Sequence, residues 1–212
     1  MLTNFMGVEL EVGPGVLVPR TETELLGRTA LDLLAPLSHP IVIDMCCGSG
    51  NVGLGIASGR ADVRLYGSDI TDETVAHARL NAERLGLTPR VTYEQGDMFA
   101  ALAKYDLVGS VDVVACNPPY ISTGKLETES AHLLENEPRE AFDAGPYGIA
   151  IHQRLIAEAV PFLRQGGWLV FEFGLGQERQ TKALLSRAKA YSAPEFRFDE
   201  EGRPRVALVQ KL

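Results

Sequence analysis

The chain has 212 residues, of which 45% are hydrophobic and 23% charged, with a formal net charge of -8. These values suit one globular domain with a full core, and no apolar run reaches the roughly 18 residues a membrane span needs. The acidic balance argues against a nucleic-acid partner, because affinity for a phosphate backbone comes from Lys and Arg. Three cysteines, two of them adjacent, fit reduced thiols in the cytoplasm better than a disulfide framework.

The opening stretch MLTNFMGVELEV has no basic start followed by an apolar block, so no secretory leader is expected. Residues 1–22 read as a small hairpin and lid segment, and residues 23–212 as the main domain. A helix is expected from about Thr23 to Ala35. Apolar runs at 41–45 (IVIDM), 63–69, 91–95, 111–116 (VDVVAC) and 168–173 (WLVFEF) read as strands, most of them buried on both faces. Helical patterns fill 51–59, 72–85, roughly 148–163, and 176–190. In the second of these Val75, Ala78, Ala82 and Leu85 form one face, with Thr71 as N-cap and Gly86 as the stop. Residues 194–198 and 204–211 close the chain as a hairpin around EEGRP. Alternating strand and helix predicts an α/β fold whose parallel sheet binds ligands at the carboxyl ends of its strands.

IVIDMCCGSGNVG is a strand, a glycine turn and a helix start. Gly48, Gly50 and Gly53 satisfy the dinucleotide fingerprint literally, and Asp69 lies where a ribose-binding acid would, so a nicotinamide-dependent dehydrogenase is one reading. Asp44 counts against it, since a carboxylate before the turn repels a pyrophosphate on the helix N-terminus. The same carboxylate favours a ligand with an ammonium or sulfonium group. S-adenosylmethionine has both and no phosphate; its ribose diol would meet Asp69, and its adenine edge the loop Gly96-Asp97-Met98. Asp69 taken alone also reads as a helix cap, Asp97 as a turn residue, and Cys46 and Cys47 as small packing residues. Three acids at three successive strand ends around one glycine turn point to S-adenosylmethionine.

The strand VDVVAC runs into NPPY. Pro118 removes a ladder donor and pushes Asn117 toward extended geometry, and Pro119 does the same to Pro118. The stiff corner presents an amide, two carbonyls and the Tyr120 ring. It reads either as a plain turn or as a grip for a planar group with N–H donors.

VLVPRTETELL (16–26), DMCCGSGNVGL (44–54), SDI (68–70), GDMF (96–99), NPPYI (117–121), NEPREAFDAG (136–145) and DEEGRPRVAL (199–208) together resemble the protein glutamine N5-methyltransferases of the PrmC/HemK family. NPPY alone is shared with DNA adenine N6-methyltransferases; the arginine segment and the EP stretch narrow the resemblance. It implies a class I S-adenosylmethionine-dependent methyltransferase with a Rossmann-like, seven-stranded, mostly parallel sheet and a C-terminal antiparallel hairpin. It also implies a catalytic domain without the N-terminal helical domain that bacterial members usually carry. The implied reaction methylates the side-chain amide of glutamine in the GGQ motif of peptide-chain release factors and leaves S-adenosyl-L-homocysteine.

In that reaction Asn117 and the Pro118 carbonyl would each accept one N–H of the substrate amide, with Pro119 and Tyr120 beside it. No dedicated base is needed, because the proton becomes acidic only as the methyl group transfers. The cofactor set would be Asp44, Cys46, Gly48, Gly50, Asp69, Ile70, Asp97, Met98 and Asn117, covered by Arg20. Glu22 and Glu24 would hold this lid or line the site, and Glu137, Pro138 and Arg139 would shape the substrate wall. His77, His132 and His152 read as non-catalytic, Trp168 as packing, and no zinc pattern is present. Three departures stand out: Thr21 replaces the usual proline, the glycine loop reads CCGSG, and Ala144-Gly145-Pro146-Tyr147-Gly148 replaces a G-G-x-D-G pattern. They keep open N-methylation of a small or peptide-like metabolite. DNA adenine methylation and a silent cofactor-binding subunit are the remoter alternatives.

Overall fold

A computed structural model describes residues 1–135 and 137–212; Asn136, which opens the NEPREAFDAG segment, lies outside the described residues. Strands β1 (Leu2–Phe5) and β2 (Val8–Glu11) pair antiparallel in a sheet of their own. A 3₁₀ turn at Thr21–Thr23 leads into α1 (Glu24–Leu34). Then follow β3 (Ile41–Met45), α2 (Asn51–Gly59), β4 (Arg64–Asp69), α3 (Asp72–Arg84), β5 (Val91–Gln95) and β6 (Val111–Cys116). The remainder is α4 (Thr123–Thr128), α5 (Ala150–Phe162), β7 (Leu163–Glu172), α6 (Glu178–Arg187), β8 (Glu195–Phe198) and β9 (Pro204–Gln210).

Seven strands form one sheet in the order β5-β4-β3-β6-β7-β9-β8. The pairs from β5 to β7 are parallel, and β9 runs antiparallel to both β7 and β8. The expected mostly parallel sheet with a closing hairpin is therefore present. Its interior strands are apolar because each face is covered. Val42, Leu65, Val113 and Ala115 pack under α1, α2 and α3, while Ile43, Val114, Leu169 and Phe171 pack under α5 and α6. Trp168 joins the first of these cores as a packing residue.

The chain winds outward from β3 through β4 to β5, then returns to lay β6 on the other side of β3. That reversal is the topological switch point, where an open α/β sheet leaves a crevice. Met45 and Cys116 pair across it, so the glycine turn after β3 and the NPPY bend after β6 leave the sheet side by side. Thr71 caps α3 by accepting from the Thr74 N–H at 3.2 Å, and Gly86 takes φ +67° just past its end. The hairpin docks through Asn81 of α3, fully buried. Its side chain meets both the N–H (2.7 Å) and the carbonyl (2.9 Å) of Glu11 and also reaches the Ser49 carbonyl at 3.0 Å.

Two features differ from the sequence expectation. Strand β7 starts at Leu163 rather than 168, carried through Gly166-Gly167 by an irregularity in its pairing with β6. Helix α4 and the short 3₁₀ turns at Met98–Leu102, Ala131–Glu135 and Arg139–Ala141 were not anticipated. They are too short for hydrophobic periodicity to register. No helix among the described residues is long and apolar enough to cross a membrane.

Tyr93 of β5 lies flat across Gly67 of β4: a Cβ built on Gly67 would stand 2.4 Å from the Tyr93 ring and 3.1 Å from the Asp44 carbonyl. Gly67→Ala is therefore expected to destabilise the fold by about 1–3 kcal/mol, lowering Tm by about 2–4 °C per kcal/mol. Thermal unfolding of the variant measures this, and an unchanged Tm would show that Tyr93 has room to move.

Candidate active site

Three strand ends build the site. At the first, the turn after β3 holds three residues with positive φ: Cys46 (+56°), Gly48 (+54°) and Gly50 (+82°). Cys46 adopts this conformation despite its Cβ, the kind of local strain a surrounding framework must hold in place. The framework is two carboxylates. Asp44 Oδ2 accepts from the Gly53 N–H at 2.8 Å, and Asp69 Oδ2 accepts from the Gly48 N–H at 2.8 Å. Asp69 Oδ1 accepts from the Ile70 N–H at 2.7 Å. From below, Tyr93 fills the space beside Gly50 and Gly53, where any Cβ would stand within 3 Å of its hydroxyl, and that hydroxyl donates to the Gly50 carbonyl at 3.3 Å. Burial pushes the Asp44 carboxyl up to about 8, and burial raises Asp69 as well.

At the end of β5, Met98 takes φ +47° and its carbonyl accepts from Ser68 Oγ at 3.1 Å. The exposed Asp97 carboxylate is held by Arg154 of α5 through two contacts of 2.9 and 3.0 Å. Ile70, 48% exposed, faces the same opening.

The third end is the NPPY bend, which neighbours clamp from several directions. Ile121 donates to the Phe142 carbonyl at 2.9 Å and accepts from Ala144 at 2.8 Å, and Gln177 Nε2 donates to the Tyr120 carbonyl at 2.8 Å. The Tyr120 hydroxyl donates to Glu172 Oε1 at 3.3 Å, and burial pushes its pKa up to about 12. Asn117 Nδ2 points to Thr23 Oγ1 at 3.4 Å. Asn117 Oδ1 is buried and has no hydrogen-bond partner among the described residues. An unsatisfied buried acceptor costs about 1–3 kcal/mol.

Three cavities run along these ends. One of about 290 Å³ lies between Ile70, Gly96, Asp97, Met98, Cys46 and Asp69. A narrow one of about 50 Å³ continues past Cys46, Gly48 and Asp69 to Asn117 and Pro119. A third, of about 190 Å³, is lined by Arg20, Glu22, Thr23, Asn117, Pro118, Tyr120 and Glu172. Cys46, Asp69 and Pro119 belong to the first two, and Leu17, Asn117 and Ala141 to the last two, so Asn117 stands where the second and third meet. A larger groove of about 660 Å³ runs outside, between Glu24, Arg28, Phe198 and Arg203. It touches neither the glycine turn nor the bend, whereas Asn117, with its unpaired acceptor, lines the cavities of about 190 and 50 Å³.

The segment before α1 closes over this row. Arg20 pairs with Glu137, which also accepts from the Val18 N–H at 2.9 Å. Glu24 does not join it; its carboxylate turns to the Met6 N–H and Arg28. Of the residues expected at the site, Asn117, Pro118, Pro119, Tyr120, Arg20, Cys46, Gly48, Asp69, Ile70, Asp97 and Met98 line the three cavities. Asp44 and Gly50 do not reach them. The Asp44 carboxylate, in a residue 1% exposed, faces α2 and holds the turn from within. His152 is buried, with its pKa lowered by burial to about 4, while His77 and His132 line none of the three cavities. Residues the sequence reading passed over are Thr23, Glu172, Tyr93, Asn81 and Arg154. Only Glu172 carried a signal, as a carboxylate at the end of an otherwise apolar strand.

A family model described as "Methyltransferase domain" matches residues 37–174. The chain is 36% identical over 207 residues to the release factor glutamine methyltransferase of Moorella thermoacetica, covering 98% of this chain and 71% of that protein. Its fold is similar to the solved protein-(glutamine-N5) methyltransferase (release factor-specific) of Alicyclobacillus acidocaldarius, with TM-score 0.55, 22% identity, and 95% and 98% of the two chains covered. It is also similar to an RNA methyltransferase of Salinibacter ruber solved in complex with S-adenosyl-L-homocysteine, with TM-score 0.55, 19% identity, and 92% and 94% covered.

The raised pKa of Asp44 has a stability consequence. Its folded value, about 8, lies above the unfolded value near ~3.9, so the folded state holds the extra proton between them. That contribution is fully present below about pH 4 and is lost as pH rises through about 8. Relative to the parent, Asp44→Asn should therefore gain in ligand-free Tm as pH rises across that window. A Tm difference independent of pH would mean that Asp44 is ionised throughout.

Proposed function

The chain belongs to the family of the release factor glutamine methyltransferases, and we propose that it methylates the side-chain amide nitrogen of a glutamine carried by a peptide-chain release factor. It is an S-adenosylmethionine-dependent N-methyltransferase. One observation carries the choice of acceptor: Asn117 Oδ1, a buried oxygen without a donor, at the junction of the cavities. A primary amide brings two N–H donors to that point.

The residues present fit the methyl donor. Ile70, Met98 and Cys46 offer apolar walls, and the Asp69 carboxylate keeps lone pairs for hydroxyl donors beyond the two N–H groups it already accepts. When bound, S-adenosylmethionine supplies an electrophilic methyl group on a positively charged sulfur. Everything else is done by the chain. An amide nitrogen is a weak nucleophile because its lone pair is delocalised into the carbonyl. Asn117 Oδ1 and the Pro118 carbonyl would each take one N–H, fixing the nitrogen and favouring the positive charge that grows on it. Such positioning supplies on the order of 7 kcal/mol in well-oriented cases, and acceptors aimed at developing charge are the counterpart of an oxyanion hole. Tyr120 stays a neutral phenol, its pKa pushed up to about 12 by burial, and flanks the substrate as a ring rather than acting as a base. The Arg20–Glu137 pair holds the covering segment down and keeps water out.

A cytoplasmic setting accords with three free thiols. A nucleic-acid acceptor fits less well, because Glu22 and Glu172 face the cavity beside Asn117 and the chain carries a net charge of -8. Radiolabelled methyl transfer tests the reading: label should appear in the unmethylated release factor. Label found only in a small-molecule fraction would overturn it. Asn117→Ala should lower turnover by about a hundredfold while cofactor affinity changes only a few-fold; full turnover would remove Asn117 from the mechanism. Asp69→Ala should mainly weaken cofactor binding, and calorimetry showing unaltered affinity would refute that role.

A further inference from the structure

We propose that two grooves adjoining the Asn117 cavity hold the polypeptide on either side of the target glutamine, one of them taking a lysine or arginine of the substrate; the proposal rests on the glutamine-methylation reading above. A glutamine within a protein differs from a small amide in one respect: main chain leaves the site in two directions. The cavity of about 190 Å³ lined by Asn117 has two such exits. Glu22 belongs both to it and to the outer groove of about 660 Å³, while Tyr120 and Ile121 belong both to it and to a second groove of about 410 Å³. Leu175 and Arg205 line both grooves, so the two adjoin each other as well.

Each groove carries one exposed aromatic ring. Phe198, 53% exposed, lines the first, and Tyr147, 81% exposed, lines the second; every other Phe, Tyr and Trp among the described residues is at least partly buried. Leu175, common to both grooves, is 52% exposed. Apolar surface gathered in one place marks an interaction site, and aromatic side chains carry much of the binding energy of protein contacts. Both rings stand next to backbone that is held in place. Tyr147 sits in a turn where the Gly148 N–H donates to the Gly145 carbonyl at 3.2 Å, and Gln177 Nε2 joins the Gly148 carbonyl (3.3 Å) to the Tyr120 carbonyl (2.8 Å). Phe198 precedes a turn fixed by Asp199 Oδ1, which accepts from the Glu201 and Arg203 N–H groups at 3.0 and 2.9 Å. Contacts held in place before binding lose less on association.

Charge separates the two grooves. In the first, Arg28 pairs with Glu24, Arg203 with Asp199 and Glu201, and Arg205 with Glu172. Glu22 and Glu200 line it without a cationic partner among the described residues. The second groove has no acid among the described residues, and Ser122, Lys125, Gln177 and Gln180 line it. A cationic side chain of the substrate therefore suits the first groove, and a neutral stretch the second. A small amide would reach neither.

Steady-state kinetics of methyl transfer to the release factor test this. Phe198→Ala and Tyr147→Ala should each raise KM for the release factor about tenfold, with kcat, S-adenosylmethionine affinity and Tm nearly unchanged. N-acetylglutamine amide, which fills only the Asn117 cavity, should show the parental kcat/KM with either variant. Of synthetic peptides with a central glutamine, one with lysines on one side should have a lower KM than its glutamate counterpart, and Glu200→Lys should abolish that preference. Parental KM in both aromatic variants, an equal loss with N-acetylglutamine amide, or a lysine preference untouched by Glu200→Lys would overturn the grooves and leave the methylation reading standing. Label absent from the release factor and from every peptide would overturn that reading, and the grooves with it.

Discussion

The turn after β3 depends on two carboxylates beneath its backbone. Asp44 and Asp69, at the ends of adjacent strands, each accept a turn N–H at 2.8 Å, and Cys46 is held with φ +56° between them. Burying acids so close together is unfavourable, and both have raised proton affinity. The arrangement persists because backbone donors aim at both groups and Tyr93 packs tightly beneath. A turn held from inside in this way leaves its outer surface free for a ligand. Ile70, Met98 and the Asn117 corner are all placed relative to that surface.

The second fixed element is the bend after β6, whose stiffness has two sources. The two prolines limit its own conformations. The larger restraint is tertiary: Phe142, Ala144 and Gln177 each hydrogen-bond the backbone between Tyr120 and Ile121. Gly148 and Gly174 fit against Tyr120 so closely that a Cβ on either would stand within 3 Å of it. The unusual Ala144–Gly148 segment thus still supplies a wall for the bend, with Gly148 at φ +69° where a side chain would not fit. In the proposed reaction this rigidity would serve catalysis, since an acceptor that moved with its ligand would lose its orienting power.

Much of the outline was legible in the residues. Strands at 41–45, 91–95 and 111–116 and the helix at 51–59 begin and end where the spacing placed them, because strands buried on both faces and a glycine-started helix leave strong local patterns. The NPPY corner and the glycine turn were legible for the same reason: proline and glycine restrict backbone geometry whatever surrounds them. The short turns at Ala131–Glu135 and Arg139–Ala141 and the early start of β7 left no such trace. Asp44 illustrates the limit from the other side. Its chemistry, a carboxylate at a strand end, was plain, but the direction of its side chain was decided by a backbone donor nine residues ahead.

The sequence by itself determined the alternation of strand and helix, the glycine turn and the proline bend at the strand ends, and the kinship with glutamine methyltransferases. Each of these rests on backbone preference, side-chain chemistry or motif, all properties of short stretches. Only the tertiary structure decided what stands next to what. It set Thr23 and Glu172 around Asn117, Glu137 over Arg20, and Tyr93 under the glycine turn. Those neighbours are dozens of residues apart in the chain, and it is the strand order β5-β4-β3-β6-β7 that brings their elements together.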